Sequence, residues 1–448
     1  MTITNQSFAL DDRPSPGVAT FVGLQHFLAA FGGLVTAPLL IALGMGLSLE
    51  DSTYLISAAL VVSGFGTLIQ VIRLGPLGSG LLSVQGTSFA FIGPILFLYG
   101  NAIEQNPPEQ VLGMIFGACA ICSILTMVLS QFIQRLRQVI TPNVTGATVL
   151  LLGLTLVWAT LNNLQREYLS AGEAGWQVWL LASTVFVVII VVVRFGSTFW
   201  RISSIVIGLV AGFLLALALG AVDYSPLSEI QVTFLPEIGR YPLALDLTMI
   251  LVLMPIFVIS ATESIGDLTA TAELSSVKLG DDSFWKRIQG GVLAGAVSSL
   301  VAAFLSTFPS TTFSQNNGVI RITRVCSRYI GIFVAAFLIL VGLVPVVGSV
   351  FQVLPSAVLY GATLLMFIMV GVSGYFIVKS ASPTGRDWGL TAIAVITGLM
   401  LSVIAPKMSF LPETVVSVMS FPVSSGAFVA MLLELLIPNR QGKQGADK

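Results

Sequence analysis

Charge is what this 448-residue chain has least of: Asp, Glu, Lys and Arg make up 9% of it. Soluble domains carry about 25%, so a chain this poor in charge cannot cover a water-facing surface with polar groups. It holds one histidine and three cysteines, too few for a metal-ligand set or a nucleophile–base constellation, which argues against an enzyme. There is no G-x-x-x-x-G-K-[ST] loop, which argues against ATP-driven pumping. The net charge of −1 comes without a basic patch, which argues against a nucleic-acid partner. No cleavable leader is legible in the polar first seventeen residues. Cys119-Ala-Ile-Cys122 has redox spacing but sits inside an apolar run without nearby His or Asp, so it reads as small hydrophobic packing.

What is abundant is long apolar runs. Apolar residues make up 55% of the chain and the mean hydropathy is +0.96. A bilayer core of about 30 Å takes roughly 20 helical residues. Fourteen runs fit: 17–45, 53–72, 80–99, 111–134, 140–162, 174–193, 202–221, 246–272, 287–307, 310–327, 329–350, 355–378, 387–405 and 417–437. With both termini cytoplasmic, Arg166, Arg240 and Lys407 fall outside, leaving 17 of the 20 basic residues inside, among them Arg73, Arg135, Arg137, Arg321, Arg440, Lys443 and Lys448. That asymmetry is the one membrane insertion imposes. The longest polar stretches are the N-terminal tail and the loop around 222–245, so the chain reads as all-α, polytopic and without a soluble domain, a secondary transporter or channel.

A weak repeat is also present. Gly146-Ala147-Thr148 opens the fifth run and Gly361-Ala362-Thr363 the twelfth, 215 residues later. Two halves of seven spans each are oppositely oriented, an inverted repeat of the kind that places a site at broken helices near the midplane. The third and tenth runs, which hold equivalent places, open with Leu82-Ser83-Val84-Gln85-Gly86-Thr87-Ser88-Phe89 and Phe308-Pro309-Ser310-Thr311-Thr312-Phe313-Ser314. Both are rich in Ser, Thr and Phe, which favour extended backbone. Extended backbone at membrane depth is tolerated only where it is enclosed or lines a cavity. Two short antiparallel strands, each feeding a half-helix, would aim free N–H groups and dipole ends at one spot.

Two acidic residues lie well inside a run, Glu263 and Asp267, four apart and therefore on one helix face. Ionisable groups within a membrane are costly and usually functional, and two neighbouring carboxylates suit proton exchange. Gln315-Asn316-Asn317 falls at the break before the tenth half-helix, where an amide that both donates and accepts matches the alternating edge of a purine base. His26, beside Gln25 in the first run, titrates in the right range for proton traffic but equally suits a structural role. Binding a free anion beside two carboxylates would be repulsive, which ranks an anion transporter or exchanger of a similar fold below a proton–nucleobase symporter.

Gln315-Asn316-Asn317-Gly318 followed by Thr323-Arg324 resembles the Q-N-x-G-x-x-x-x-T-[RKG] signature of the nucleobase–ascorbate transporter (nucleobase–cation symporter 2) family. Gln25-His26, Gln85-Gly86-Thr87-Ser88-Phe89 and Glu263-Ser264-Ile265-Gly266-Asp267 resemble its motifs in the first, third and eighth segments. The matches run in order along essentially the whole chain, most like the bacterial xanthine and urate permeases. The resemblance implies fourteen segments in a seven-plus-seven inverted repeat. Residues 1–138 and 246–352 would form a core, and 139–245 with 353–448 a gate that also makes a homodimer. It implies elevator-like import of a purine (xanthine, urate, guanine or hypoxanthine) with protons as the coupling ion and no other cofactor, through a bacterial inner membrane. It assigns substrate contacts to Glu263, Gln315, Phe89, Ser88, Phe313, Ser314 and Gly33, proton coupling to Asp267 with Glu263 and His26, and support to Asn316, Gln85 and Thr323. Glutamine at 315, where uracil-selective relatives resemble the motif with glutamate, favours purines. Two departures stand out: Gly295 where many purine members have Asp, and Ala90 where xanthine-selective relatives often have Asn.

Overall fold

The computed structural model describes residues 8–133, 141–197, 200–201, 203–224, 236–344, 350, 352–380, 383–408 and 410–437. The basic residues Arg135, Arg137, Arg440, Lys443 and Lys448, the 138/139 boundary, much of the 222–245 loop and the cytoplasmic tail lie outside the described residues.

Helices dominate. In chain order they are α1 Pro16–Gly44, α2 Leu49–Ile72, α3 Ile92–Ala102, α4 Pro108–Ser130, α5 Pro142–Ser170, α6 Gly175–Phe195 and α7 Ser204–Ala218. There follow α8 Leu247–Leu274, α9 Asp282–Phe304, α10 Gln315–Thr323, α11 Arg328–Gly342, α12 Ser356–Ser380, α13 Gly385–Ile404, α14 Glu413–Met419 and α15 Pro422–Leu436. Among the described residues, nine helical stretches are long and apolar enough to cross a membrane, and four more apolar helices are shorter. Large apolar side chains such as Phe195, Phe428 and Leu435 face outward, as they must when the surrounding solvent is hydrocarbon. The chain is a multi-pass membrane protein.

Small residues decide how the helices meet. A Cβ on Gly153 of α5 would lie 2.3 Å from the Gly371 nitrogen of α12, and one on Gly374 would lie 2.4 Å from the Leu150 nitrogen. Gly146 of the first G-A-T packs on Gly374 and Val378, and Gly361 of the second packs on the Ala182 carbonyl of α6. Such backbone-to-backbone approach is how helices associate where no hydrophobic effect drives them together. Elsewhere α2 lies against α1, α9 and α11, while α4 lies against α8 and α9.

Two of the expected segments differ in detail. The run at 140–162 extends as α5 to Ser170, because Glu167 on the added turns accepts a hydrogen bond from Ser356 at the start of α12. The run at 417–437 is two helices, since Pro422 cannot continue α14 and instead opens α15. The run at 80–99 is extended as far as Ser88 and becomes α-helical only from Ile92.

The strands are β1, Gln85–Thr87, and β2, Ser310–Thr312, antiparallel with Gln85 opposite Thr312, Gly86 opposite Thr311 and Thr87 opposite Ser310. Phe313 N to Val84 O (2.9 Å) and Ser88 N to Pro309 O (3.0 Å) extend the ladder at both ends. A two-stranded pair is marginal alone, and hydroxyls from three helices pin this one. Thr67 of α2 accepts from Gln85 N at 2.9 Å. Ser299 of α9 accepts from Ser310 N and sits 3.0 Å from the Ser310 carbonyl. Ser264 of α8 meets the Thr311 hydroxyl at 3.1 Å.

The ends of the bundle are tied by the loops. Cys326 N and Arg328 N, just past α10, donate to the carbonyls of Phe8 and Leu10, and Arg328 pairs with Asp11 at 2.8 Å. At the start of α2, Arg240 reaches Glu50 (3.0 Å) and Asp51 (3.1 Å), and Tyr241 donates to Asp51. Burial, then that bond, raises the Tyr241 hydroxyl well above its usual range.

Candidate functional site

Each strand runs directly into the start of a helix. After β1, Ser88 accepts from Ala90 N at 3.3 Å and begins a tight turn, Phe89–Phe91, that continues as α3. After β2, Ser314 precedes α10. The first N–H groups of a helix have no partner within it. Among the described residues, the N–H groups of Phe89, Ser314 and Gln315 make no hydrogen bond.

The walls between these two helix starts are aromatic. The rings of Phe89 and Phe313 lie 5.9 Å apart, tilted by 42°. Phe367 of α12 meets Phe89 edge-on at 5.3 Å, within the range where ring pairs add about 0.5–1.5 kcal/mol beyond burial. Glycine makes room for Phe313 on two sides. A Cβ on Gly33 would lie 2.9 Å from its Cε1, and one on Gly86 would lie 2.8 Å from its Cε2 and 1.8 Å from Leu34 Cδ2.

α8 brings its acid pair along β2. Thr312 donates to Asp267 Oδ2 at 2.9 Å, so Asp267 is tied to the strand. The Asp267 carbonyl accepts from Asn317 Nδ2 at 3.1 Å, and Thr271, one turn on, bonds Asn317 Oδ1 at 2.6 Å. Glu263, one turn before Asp267 and half-buried, makes no hydrogen bond or ion pair with the described residues. Gln315, half-buried at the first position of α10, is likewise without a side-chain partner among them.

Behind the strands, Asn316 links three elements. Its Nδ2 donates to the Leu82 carbonyl at 2.6 Å, which fixes the amide orientation, and its Oδ1 is 2.6 Å from Nδ1 of His26. The oxygen must accept there, so Nδ1 of His26 carries the hydrogen. Both side chains are buried, His26 completely, and each such bond is worth about 1 kcal/mol with a larger penalty if one partner is removed. Gln85 is also wholly enclosed, and its Oε1 faces Gly295, whose Cβ would lie 3.6 Å away. Thr323 turns inward on its own helix, donating to the Val319 carbonyl at 2.8 Å and accepting from Val325 N at 3.3 Å. It ends α10 rather than facing the strands.

Glu263, Asp267, Gln315, Ser314, Phe89, Ser88, Phe313 and Gly33 therefore lie along β1, β2 and the helices that meet them, with Asn316, His26 and Gln85 behind. Sequence reasoning missed Thr312, Ser264, Thr271 and Asn317 as the groups that fix α8, although the Ser/Thr richness of the break was its signal. It also missed Phe367, which nothing in the order of residues brings near Phe89. Cys119 and Cys122 are buried and apart from these residues, Cys122 lying 3.6 Å from the Ile250 carbonyl. Among the described residues, no cluster of His, Cys, Asp and Glu could hold a metal.

The permease family Xan_ur_permease matches residues 17–407. The xanthine permease XanP of Escherichia coli is 35% identical over 438 residues, covering 96% of this chain and 94% of its own. The xanthine permease XanQ of the same organism is 33% identical over 436 residues, covering 96% and 93%. Among solved structures, the transmembrane domain of the cyanobacterial bicarbonate transporter BicA superposes with a TM-score of 0.58 at 12% identity, covering 95% of this chain and 99% of that one. At that identity the likeness is one of fold alone.

Proposed function

The chain belongs to the Xan_ur_permease family, the nucleobase–ascorbate transporters, and from that premise we propose that it imports purine nucleobases together with protons. As a member of a permease family it is a transporter and not an enzyme. The observation that carries the reading is a contrast in hydrogen bonding. Asp267, Asn316 and Asn317 are all held by protein partners, whereas Glu263 and Gln315 beside them are held by none among the described residues. Half-buried polar groups that the protein leaves unpaired are available to a ligand, and covering them costs free energy unless that ligand pairs with them.

A purine offers a matching set. Glu263 accepts from ring N–H groups, Gln315 both donates to and accepts from the opposite edge, and the N–H of Phe89, with that of Ser314, donates to a carbonyl of the base. Phe89 and Phe313 supply flat walls, with Gly33 and Ser88 completing the lining. Asp267 carries the coupled proton, exchanging with Glu263 one turn away, while His26 and Asn316, bonded to each other, hold the frame with Gln85 packed behind it. No cofactor other than the proton takes part.

Transport proceeds by elevator-like movement of a core, 1–138 with 246–352, against a gate, 139–245 with 353–448. The packing of α2 on α1, α9 and α11, and of α5 on α12, supports that division. The two units arise from a seven-plus-seven inverted repeat, and the protein is a homodimer through the gate in a bacterial inner membrane, both termini cytoplasmic.

The test is radiolabelled uptake into proteoliposomes under an imposed inward proton gradient, with xanthine, urate, guanine, hypoxanthine and uracil offered in parallel. Purine accumulation that collapses with a protonophore is the expected result. Absence of purine accumulation under any gradient would contradict the proposal and turn attention to anions.

A further inference from the structure

A cavity of about 140 Å3 lies beside Phe367, between α1 and α3 on one side and α5, α12 and the start of α15 on the other. It shares Phe367 and Ala90 with the surroundings of Phe89, so it adjoins the purine site without being part of it. Its two faces differ in chemistry. The α1–α3 face is apolar, with Leu40, Ile92 and Leu96 beside Gly44, Ala90 and Gly93. The α5–α12 face carries the polar side chains of Asn163 and Tyr360. An amide has two donors and two acceptor positions, which Asn163 brings to the cavity wall. Helix packing does not need it: α5 and α12 are already joined by Gly146, Gly153, Gly371 and Gly374. A turn further on, Glu167 is occupied by Ser356, which leaves Asn163 as the amide that lines the cavity.

We propose that this cavity is a second, outer subsite for a planar nitrogen heterocycle, in which Asn163 and Tyr360 hold the purine before it passes Phe367 to the main site. The assignment rests on the functional reading above for its ligand and its direction. Size agrees with a transient stop. A cavity of about 150 Å3 elsewhere takes up a single benzene, so this one accepts one ring of the base, and the second ring requires the apolar face to slide. Polar handles on one face and none on the other allow that sliding without breaking bonds to the moving side. The consequence is that the outer subsite screens cargo for flatness and for an edge that pairs with an amide, before Glu263 and Gln315 read it.

The test uses the full-length protein and two readouts, KM for xanthine uptake into proteoliposomes and equilibrium xanthine affinity in detergent. Asn163→Leu and Tyr360→Phe are each expected to raise the uptake KM about tenfold, the loss of one hydrogen bond, while the equilibrium affinity moves by less than about twofold. Gly93→Val, which adds bulk to the apolar face without removing a polar group, is expected to raise KM likewise. Gly93→Ala, whose Cβ would sit in ordinary contact 3.6 Å from Phe421, serves as the folded control should a larger variant fail to express. Unchanged KM in both Asn163→Leu and Tyr360→Phe overturns the subsite, and so does a parallel loss of equilibrium affinity, which would place these residues in the main site. A wild type that takes up no purine removes the functional reading and this proposal with it, whereas a transporting wild type with indifferent variants removes the subsite alone.

Discussion

The two arms that cross at β1 and β2 begin alike and end differently. Each is a three-residue strand that runs into a helix start. The β1 arm continues as α3, eleven residues from Ile92 to Ala102, apolar at nearly every position and buried at Ile92, Pro94, Ile95, Leu98 and Tyr99. The β2 arm continues as α10, nine residues from Gln315 to Thr323, with amides along its first turn and with Ser314, Gly318 and Arg321 exposed. The β1 arm therefore serves as a packed wall, with glycine at Gly86 to admit Phe313. The β2 arm presents the polar groups, and Thr311 and Thr312 fasten it to the acid-bearing α8. A symmetric crossing has been given one apolar arm for shape and one polar arm for recognition.

Substitutions on the two arms should separate shape from recognition. The largest effect belongs to the β1 arm. Gly86→Val would set side-chain atoms into Leu34 and Phe313, which a Cβ alone already approaches to 1.8 Å and 2.8 Å. Overpacking of that kind costs about 3 kcal/mol or more, so no monodisperse folded protein is expected in detergent chromatography. On the partner of the β2 arm, Asp267→Asn keeps an acceptor for Thr312 but removes the titrating group. It should bind xanthine yet lose gradient-driven accumulation and the pH dependence of uptake, read in proteoliposomes at several external pH values. Gln315→Glu replaces an amide that donates and accepts with a group that only accepts, so xanthine affinity should fall about tenfold, with uracil gained in competition assays. Thr311→Val loses the single hydroxyl contact to Ser264 and should lower thermal stability by only about 1 kcal/mol. If Gly86→Val folded normally while Thr311→Val did not, the division of labour between the arms would be reversed.

Much of this is legible in the sequence. The breaks in the third and tenth runs stood out because Ser, Thr, Gln and Gly interrupt apolar sequence at equivalent places, and Glu263 and Asp267 because buried acid is rare in membrane helices. What stayed hidden depends on pairs far apart in the chain. His26 and Asn316 are 290 residues apart, and Thr312 reaches Asp267 across 45; no local pattern encodes either. The full length of α5 is hidden because hydropathy falls at Asn162 and Asn163, whereas the helix is kept by contacts with α12 that only tertiary structure supplies. The break between α14 and α15 is set by Pro422, whose signal the surrounding apolar run masks.

The most direct test of the account is the xanthine affinity of Glu263→Gln, measured alongside its melting temperature. Glu263 makes no bond to the described protein groups, so its replacement by an amide of the same shape should leave the fold intact. The account predicts unchanged melting and a loss of affinity of about ten- to a hundredfold, the value of a charge-assisted hydrogen bond. Unchanged affinity in a well-folded variant would show that the unpaired carboxylate is not where the base is held.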